Sequence, residues 1–265
     1  MEMRPRRRLR GQSLNRLIPN LLTLLALCAG VTAMRFGLEG AWARAVIAIV
    51  VAGVLDGLDG RIARILGAAS RFGAELDSLS DFVAFGVAPA FVVYLWSLQD
   101  AGGFGWALSL MFVVACGLRL ARFNTALESA VPEPPWAKNF FVGVPAPVGG
   151  ILALIPLVLG LETEAAFFAN PAVNALVILS IAGLMVSRLP TLALKKTKIP
   201  PGYAGFVLLG MGVFFAFLIS TPWITLAVSA VAYLASIPYS VLLYRRYERQ
   251  NPLPPSFKDD ADRSD

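Results

Sequence analysis

Apolar residues run along the chain in eight long blocks, near 18-36, 42-65, 73-97, 104-122, 141-160, 171-189, 203-220 and 222-244. A bilayer core of about 30 Å takes about 20 mostly apolar residues per helical crossing, so each block predicts one membrane-spanning helix. The second and third blocks carry carboxylates, and a strict charge-free window would leave only six spans. Both are accepted because everything around their acids is apolar. The expected architecture is an all-α, polytopic bundle of transmembrane helices with no soluble domain and no internal repeat.

Charge gives the bundle its orientation. Of the 23 Lys and Arg, 21 lie in the N-terminal arm, in every second connection after it, or in the tail. The arm holds Arg4, Arg6, Arg7, Arg8, Arg10 and Arg16; Arg61, Arg64 and Arg71 flank the second turn, and Arg119, Arg122 and Lys138 the fourth. Arg188, Lys195, Lys196 and Lys198 flank the sixth, and the tail adds five more. The intervening connections hold only Arg35 and Arg44, beside Glu39, Asp100, Glu162 and Glu164. Inside-positive bias therefore predicts that both termini are cytoplasmic. The expected organisation is a basic arm over 1-17, with residues 3 to 17 able to lie as an amphipathic helix on the inner leaflet. A membrane domain over 18-245 and a disordered tail over 246-265 follow. The net charge of +6 is what span-flanking clusters require, and it gives no nucleic-acid partner.

Composition narrows the chemistry. The 265 residues are 57% hydrophobic and 15% charged, where a soluble domain averages roughly 25% charged. With no histidine, a His-based triad, a His-ligated zinc or haem and an imidazole shuttle are excluded. Acid-base work falls to carboxylates. The two cysteines, Cys28 and Cys116, sit in apolar runs and are read as small packing residues.

Ionised groups inside a span are costly and mark function. Asp56 and Asp59 are three apart toward the cytoplasmic end of the second span; Asp77 and Asp81 are four apart just inside the third. Each pair shares one helix face, so two antiparallel helices can aim four carboxylates at one point. Such an oxygen-rich cluster suits two hard divalent ions, Mg²⁺ or Mn²⁺, and two metals suit chemistry on a phosphate. Asp56 precedes Ile65 by nine residues, which puts it about 13 Å below the mouth. Gly60 and Ala63, each four residues after an aspartate, leave that face nearly bare, Arg64 adds a cation for phosphate oxygens, and Gly73 offers a second bare patch four before Asp77. Glu75 is read as a surface residue at the mouth, with no catalytic part.

The pattern Asp56-x-x-Asp59-Gly60-x-x-Ala63-Arg64, eight residues, Gly73-x-x-x-Asp77-x-x-x-Asp81 resembles the signature of the CDP-alcohol phosphatidyltransferases at all eight fixed positions. That resemblance implies a six-span catalytic core and a homodimer. It also implies a reaction in which an alcohol hydroxyl attacks the phosphorus next to the lipid of a CDP-linked lipid and releases CMP. By the same likeness Asp56, Asp59, Asp77 and Asp81 hold two divalent ions, with Asp81 the candidate base, and Gly60, Ala63, Arg64 and Gly73 bind the CDP group.

Four further stretches look like the phosphatidylserine synthase branch: Ile18 to Thr23, Gly73 to Ala90, Leu118 to Asn124 and Phe141 to Pro147. The likeness implies CDP-diacylglycerol as donor and L-serine as acceptor. Arg119 and Arg122, three apart, can present cations to the serine carboxylate, with Asn124 assisting. Asn20 and Thr23 either line the nucleotide site or cap the first helix. Pro145 and Pro147 are expected to kink the fifth span. The expected location is a bacterial inner membrane, with membrane lipids as surroundings. Two alternatives stay open: another acceptor (glycerol 3-phosphate, inositol phosphate or choline), and a cation-coupled transporter, whose acids should instead sit near the midplane.

Overall fold

The computed structural model describes residues 14–128, 140–192 and 204–250. The basic arm up to residue 13, Lys138, the lysines at 195, 196 and 198, and the tail from 251 lie outside them. The described chain is helical almost throughout. Helix α1 spans Leu14–Leu38 and α2 Trp42–Ile65. The third crossing combines α3 (Arg71–Asp81), a wide π-helical turn (Phe82–Val87) and α4 (Ala88–Trp96). Helix α5 follows at Gly102–Glu128, then strand β1 (Phe140–Val142), α6 (Ala146–Ala153), α7 (Ile155–Thr163), α8 (Pro171–Val186), strand β2 (Pro190–Leu192), α9 (Ala204–Ser220) and α10 (Pro222–Gln250).

These elements fall on the eight apolar blocks, with α6 and α7 sharing one. The protein is an integral membrane protein of the all-α, polytopic type. Five helical stretches are long and apolar enough to cross a membrane, α8 and α9 are shorter apolar helices, and α2 falls outside the five. The third crossing qualifies despite Asp77 and Asp81, whereas α2 holds Arg44, Asp56, Asp59, Arg61 and Arg64 within its 24 residues.

Several boundaries differ from expectation: α1 starts at Leu14, inside the expected arm, and α5 runs on to Glu128, past the expected 122. The fifth crossing starts at Ala146, because Phe140 to Val142 pair antiparallel with Leu192 to Pro190 instead of entering the helix. Gly143 closes this ribbon at φ +72°, its N–H donating to the Leu189 carbonyl at 2.8 Å. A Cβ there would sit 2.8 Å from the Met185 and Ser187 carbonyl oxygens, so the turn requires glycine. The break in the fifth crossing falls at Leu154, just before Pro156. Pro145 instead caps the helix and Pro147 occupies its first turn, where a missing N–H costs nothing. The last helix continues to Gln250, beyond the expected 244.

The core gathers where α1, α2, the third crossing, α5 and α6 to α8 meet, around the fully buried Phe85, Phe112, Ile49, Leu152 and Met185. Helix α1 packs along α2, and α5 along α8. Helix α9 packs on α10 and turns Phe206, Leu208, Leu209, Phe217 and Ile219 outward, a surface suited to lipid tails. Cys116 is buried against Gly86, as a packing residue should be, but Cys28 lies on the exposed face of α1. At the far end of α1 and α2, Arg35 and Arg44 both face Glu39, at 2.9 and 3.9 Å. The two bases that break the charge alternation thus share one acid.

Candidate active site

The site forms between the C-terminal half of α2 and the length of α3. Ser70 caps α3, its hydroxyl accepting from the Gly73 N–H at 3.0 Å, and this starts the helix that carries Asp77 and Asp81. One carboxylate oxygen each from Asp56, Asp59 and Asp77 lie within 4.8 Å of one another. Asp81 lies close to Asp56 and Asp77, outside that group of three. Three of the four aspartates therefore share one point, with Asp81 beside it.

Just past Asp81 the helix widens into its π-helical turn, which re-aims the residues beyond it. Backbone close packing holds this turn: a Cβ at Gly30 of α1 would lie 2.7 Å from the Ala84 Cα, and one at Gly150 of α6 would lie 2.8 Å from the Phe85 carbonyl oxygen.

Helix α1 supports the acids from the side. The Thr23 hydroxyl lies 2.6 Å from Asp59 Oδ2 and 3.1 Å from the Pro19 carbonyl, and Ser80 donates to the Thr23 carbonyl at 3.0 Å. Thr23 is thus neither an N-cap nor an open lining group; it is buried and fixes a carboxylate. Neither the Thr23–Asp59 contact nor Ser80 was visible in the sequence, since the partners are 36 and 57 residues apart.

The remaining candidates divide into three groups. Among the described residues nothing lies within 4 Å of a Cβ at Gly60; Ala63 is half-buried, and Arg64 is exposed with its Nε donating to the Gly60 carbonyl at 2.9 Å. Gly73 is not bare. A Cβ there would lie 3.1 Å from Asn20 Oδ1 and 3.2 Å from Ser70 Oγ, so its smallness lets Asn20 of α1 reach the start of α3. On α5, Arg119 faces Asp81 and Asp56, whereas Arg122 donates to the Val186 carbonyl at 2.9 Å, at the end of α8. Asn124 donates to the Ser78 hydroxyl at 2.9 Å, tying α5 to α3 between Asp77 and Asp81. Glu75 is exposed.

The donor set is all carboxylate oxygen, with a threonine hydroxyl behind it and Arg119 as a cation on its flank. Gathered acids of this kind repel one another unless protons or cations intervene, and oxygen-only donors fit a hard divalent ion such as Mg²⁺ or Mn²⁺.

The family model for CDP-alcohol phosphatidyltransferase matches residues 16–187, and the model for CDP-alcohol phosphatidyltransferase 2 matches residues 203–238. The chain belongs to the CDP-alcohol phosphatidyltransferase family. It is 39% identical over 241 residues to a protein of Mycobacterium leprae named CDP-diacylglycerol–serine O-phosphatidyltransferase, covering 91% of this chain and 79% of that protein. The protein of the same name from Mycobacterium tuberculosis H37Rv is 38% identical over 238 residues, 90% of this chain and 82% of its own. An archaetidylserine synthase of Methanothermobacter thermautotrophicus is 35% identical over 170 residues, 62% of this chain and 68% of its own.

Proposed function

We propose that the chain transfers the phosphatidyl group of CDP-diacylglycerol to the hydroxyl of L-serine, forming phosphatidylserine and CMP. The observation that carries this reading is the convergence of Asp56, Asp59 and Asp77 within 4.8 Å beside Asp81. The names of the relatives favour serine over other alcohols.

In this reading Asp56, Asp59, Asp77 and Asp81 hold two divalent ions, Mg²⁺ or Mn²⁺. When bound, these would neutralise the diphosphate and the charge that develops on it. The chain's own groups do the rest. The open face at Gly60, with Ala63, receives the CDP moiety against backbone, and Arg64 pairs with its phosphate oxygens. Gly73 and Asn20 close the same wall. Asp81 accepts the proton of the serine hydroxyl as the oxygen bonds to the phosphorus next to the lipid, and the bond from that phosphorus to CMP breaks. Arg119 faces Asp81 and is suited to the serine carboxylate; Arg122 and Asn124 hold α5 in register with α8 and α3. Thr23 orients Asp59. The basic connections favour a site and termini on the cytoplasmic side of a bacterial inner membrane, and the family resemblance favours a homodimer.

The acceptor is tested by incubating the purified protein with CDP-diacylglycerol, Mg²⁺ or Mn²⁺ and either L-serine, glycerol 3-phosphate, inositol phosphate or choline, with the lipid product identified by mass spectrometry. Phosphatidylserine alone is the expected result. A different phospholipid would keep the site and overturn the acceptor.

A further inference from the structure

A buried polar atom beside the acidic cluster, Nε of Arg119 on α5, and one next to Arg119, the phenolic oxygen of Tyr233 on α10, make no hydrogen bond. Buried polar groups are almost always satisfied, so an unpaired pair in one neighbourhood calls for an explanation. Tyr233 lies beside Thr191 without closing a hydrogen bond of good geometry, and the Thr191 hydroxyl is engaged with the Gly143 carbonyl at 2.9 Å. Arg119 faces Asp81, Cys116, Tyr233 and Asp56. The other unpaired buried atom among the described residues, Asn174 Oδ1, belongs to an amide that already donates to Ser97, Phe168 and Asn170.

The two spare atoms are both donors, one on a permanent cation and one on a neutral phenol; Arg119 borders Asp81, the residue proposed to accept the hydroxyl proton, and Tyr233 borders Arg119. A guanidinium donor with a neutral donor beside it suits an oxyanion. A neutral second donor adds a hydrogen bond without adding another positive charge beside Asp81. Resting on the serine reading above, we infer that Tyr233 is an acceptor-binding residue: its hydroxyl and Arg119 Nε together seat the carboxylate of the amino-acid acceptor. The last helix, beyond the residues 16–187 matched by the first family model, thereby completes the acceptor pocket.

A purely structural tyrosine behaves differently. If the hydroxyl were only a buried orphan, removing it would leave the kinetics alone and stabilise the fold or leave it unchanged. The test is Tyr233→Phe in the full chain, with KM measured separately for L-serine and CDP-diacylglycerol. The expected result is a KM for serine raised about tenfold, the loss of one hydrogen bond to a charged group, with the KM for the donor within about twofold. An unchanged serine KM, or equal rises in both, overturns the inference. A second measurement needs no variant: L-serinamide, which lacks the charged carboxylate, should compete with L-serine at least about tenfold more weakly than D-serine does. Equal competition overturns the inference, as does inorganic phosphate competing more strongly than D-serine, which would make the seat a phosphate site. If the unaltered protein forms no phosphatidylserine, the serine reading itself fails; if it does and Tyr233→Phe matches it, only this inference fails.

Discussion

The Thr23 hydroxyl on α1 lies 2.6 Å from Asp59 Oδ2 on α2, so the first helix holds one carboxylate of the acidic cluster in place. A group that orients a metal-binding carboxylate typically tunes metal affinity by about 10–100-fold. Thr23→Val keeps the shape and removes the hydroxyl. The concentration of Mn²⁺ giving half-maximal activity is expected to rise at least about tenfold, and Thr23→Ser should restore it. An unchanged metal dependence in Thr23→Val would remove Thr23 from the site.

Asp56→Asn and Asp77→Asn should each abolish turnover, because each deletes a charge from a cluster whose oxygens lie within 4.8 Å. The same changes relieve like-charge repulsion, so in chelator the variants should melt no lower than the parent protein. Near-normal phosphatidylserine formation in either variant would contradict the metal proposal.

Gly60 faces open space among the described residues, where no other element comes within 4 Å of a Cβ placed there. Gly60→Leu is expected to fold normally and to raise the KM for CDP-diacylglycerol by more than about tenfold, since it fills the surface on which the donor lies. Titrating the donor at saturating serine checks this. A normal donor KM would mean that the CDP group lies elsewhere.

Gly150 has the opposite environment. A methyl group there would sit 2.8 Å from the Phe85 carbonyl oxygen, inside the wide turn that follows Asp81. Gly150→Ala should destabilise the protein by about 1–3 kcal/mol, read as a lower Tm in detergent. The Tm would be unchanged if α6 did not press on this turn.

Much of this site was legible because its information is local. Asp56 with Asp59, and Asp77 with Asp81, sit three and four residues apart on single helices, where spacing alone fixes the shared face. The support was not legible, because it joins residues far apart in the chain: Thr23 to Asp59, Ser80 to the Thr23 carbonyl, Asn124 to Ser78. Gly73 looked bare in sequence because its cover, Asn20, comes from another helix. The start of the fifth crossing was misplaced for a similar reason. Phe140, Phe141 and Val142 are apolar enough to read as span, yet their partners are residues 190 to 192, about fifty positions on. Tyr233 sits in a helix that reads as generic apolar sequence, and only its position beside Arg119 distinguishes it.

The central claim is metal-dependent phosphatidyl transfer to serine, and the most direct measurement is the stoichiometry of the two products. Purified protein, stripped with chelator and supplied with CDP-diacylglycerol and L-serine, should release CMP and form phosphatidylserine in equal amounts once Mg²⁺ or Mn²⁺ is returned. Neither product should form without the metal or without serine. CMP release that ignores serine, or product formation that persists in chelator, would contradict the account.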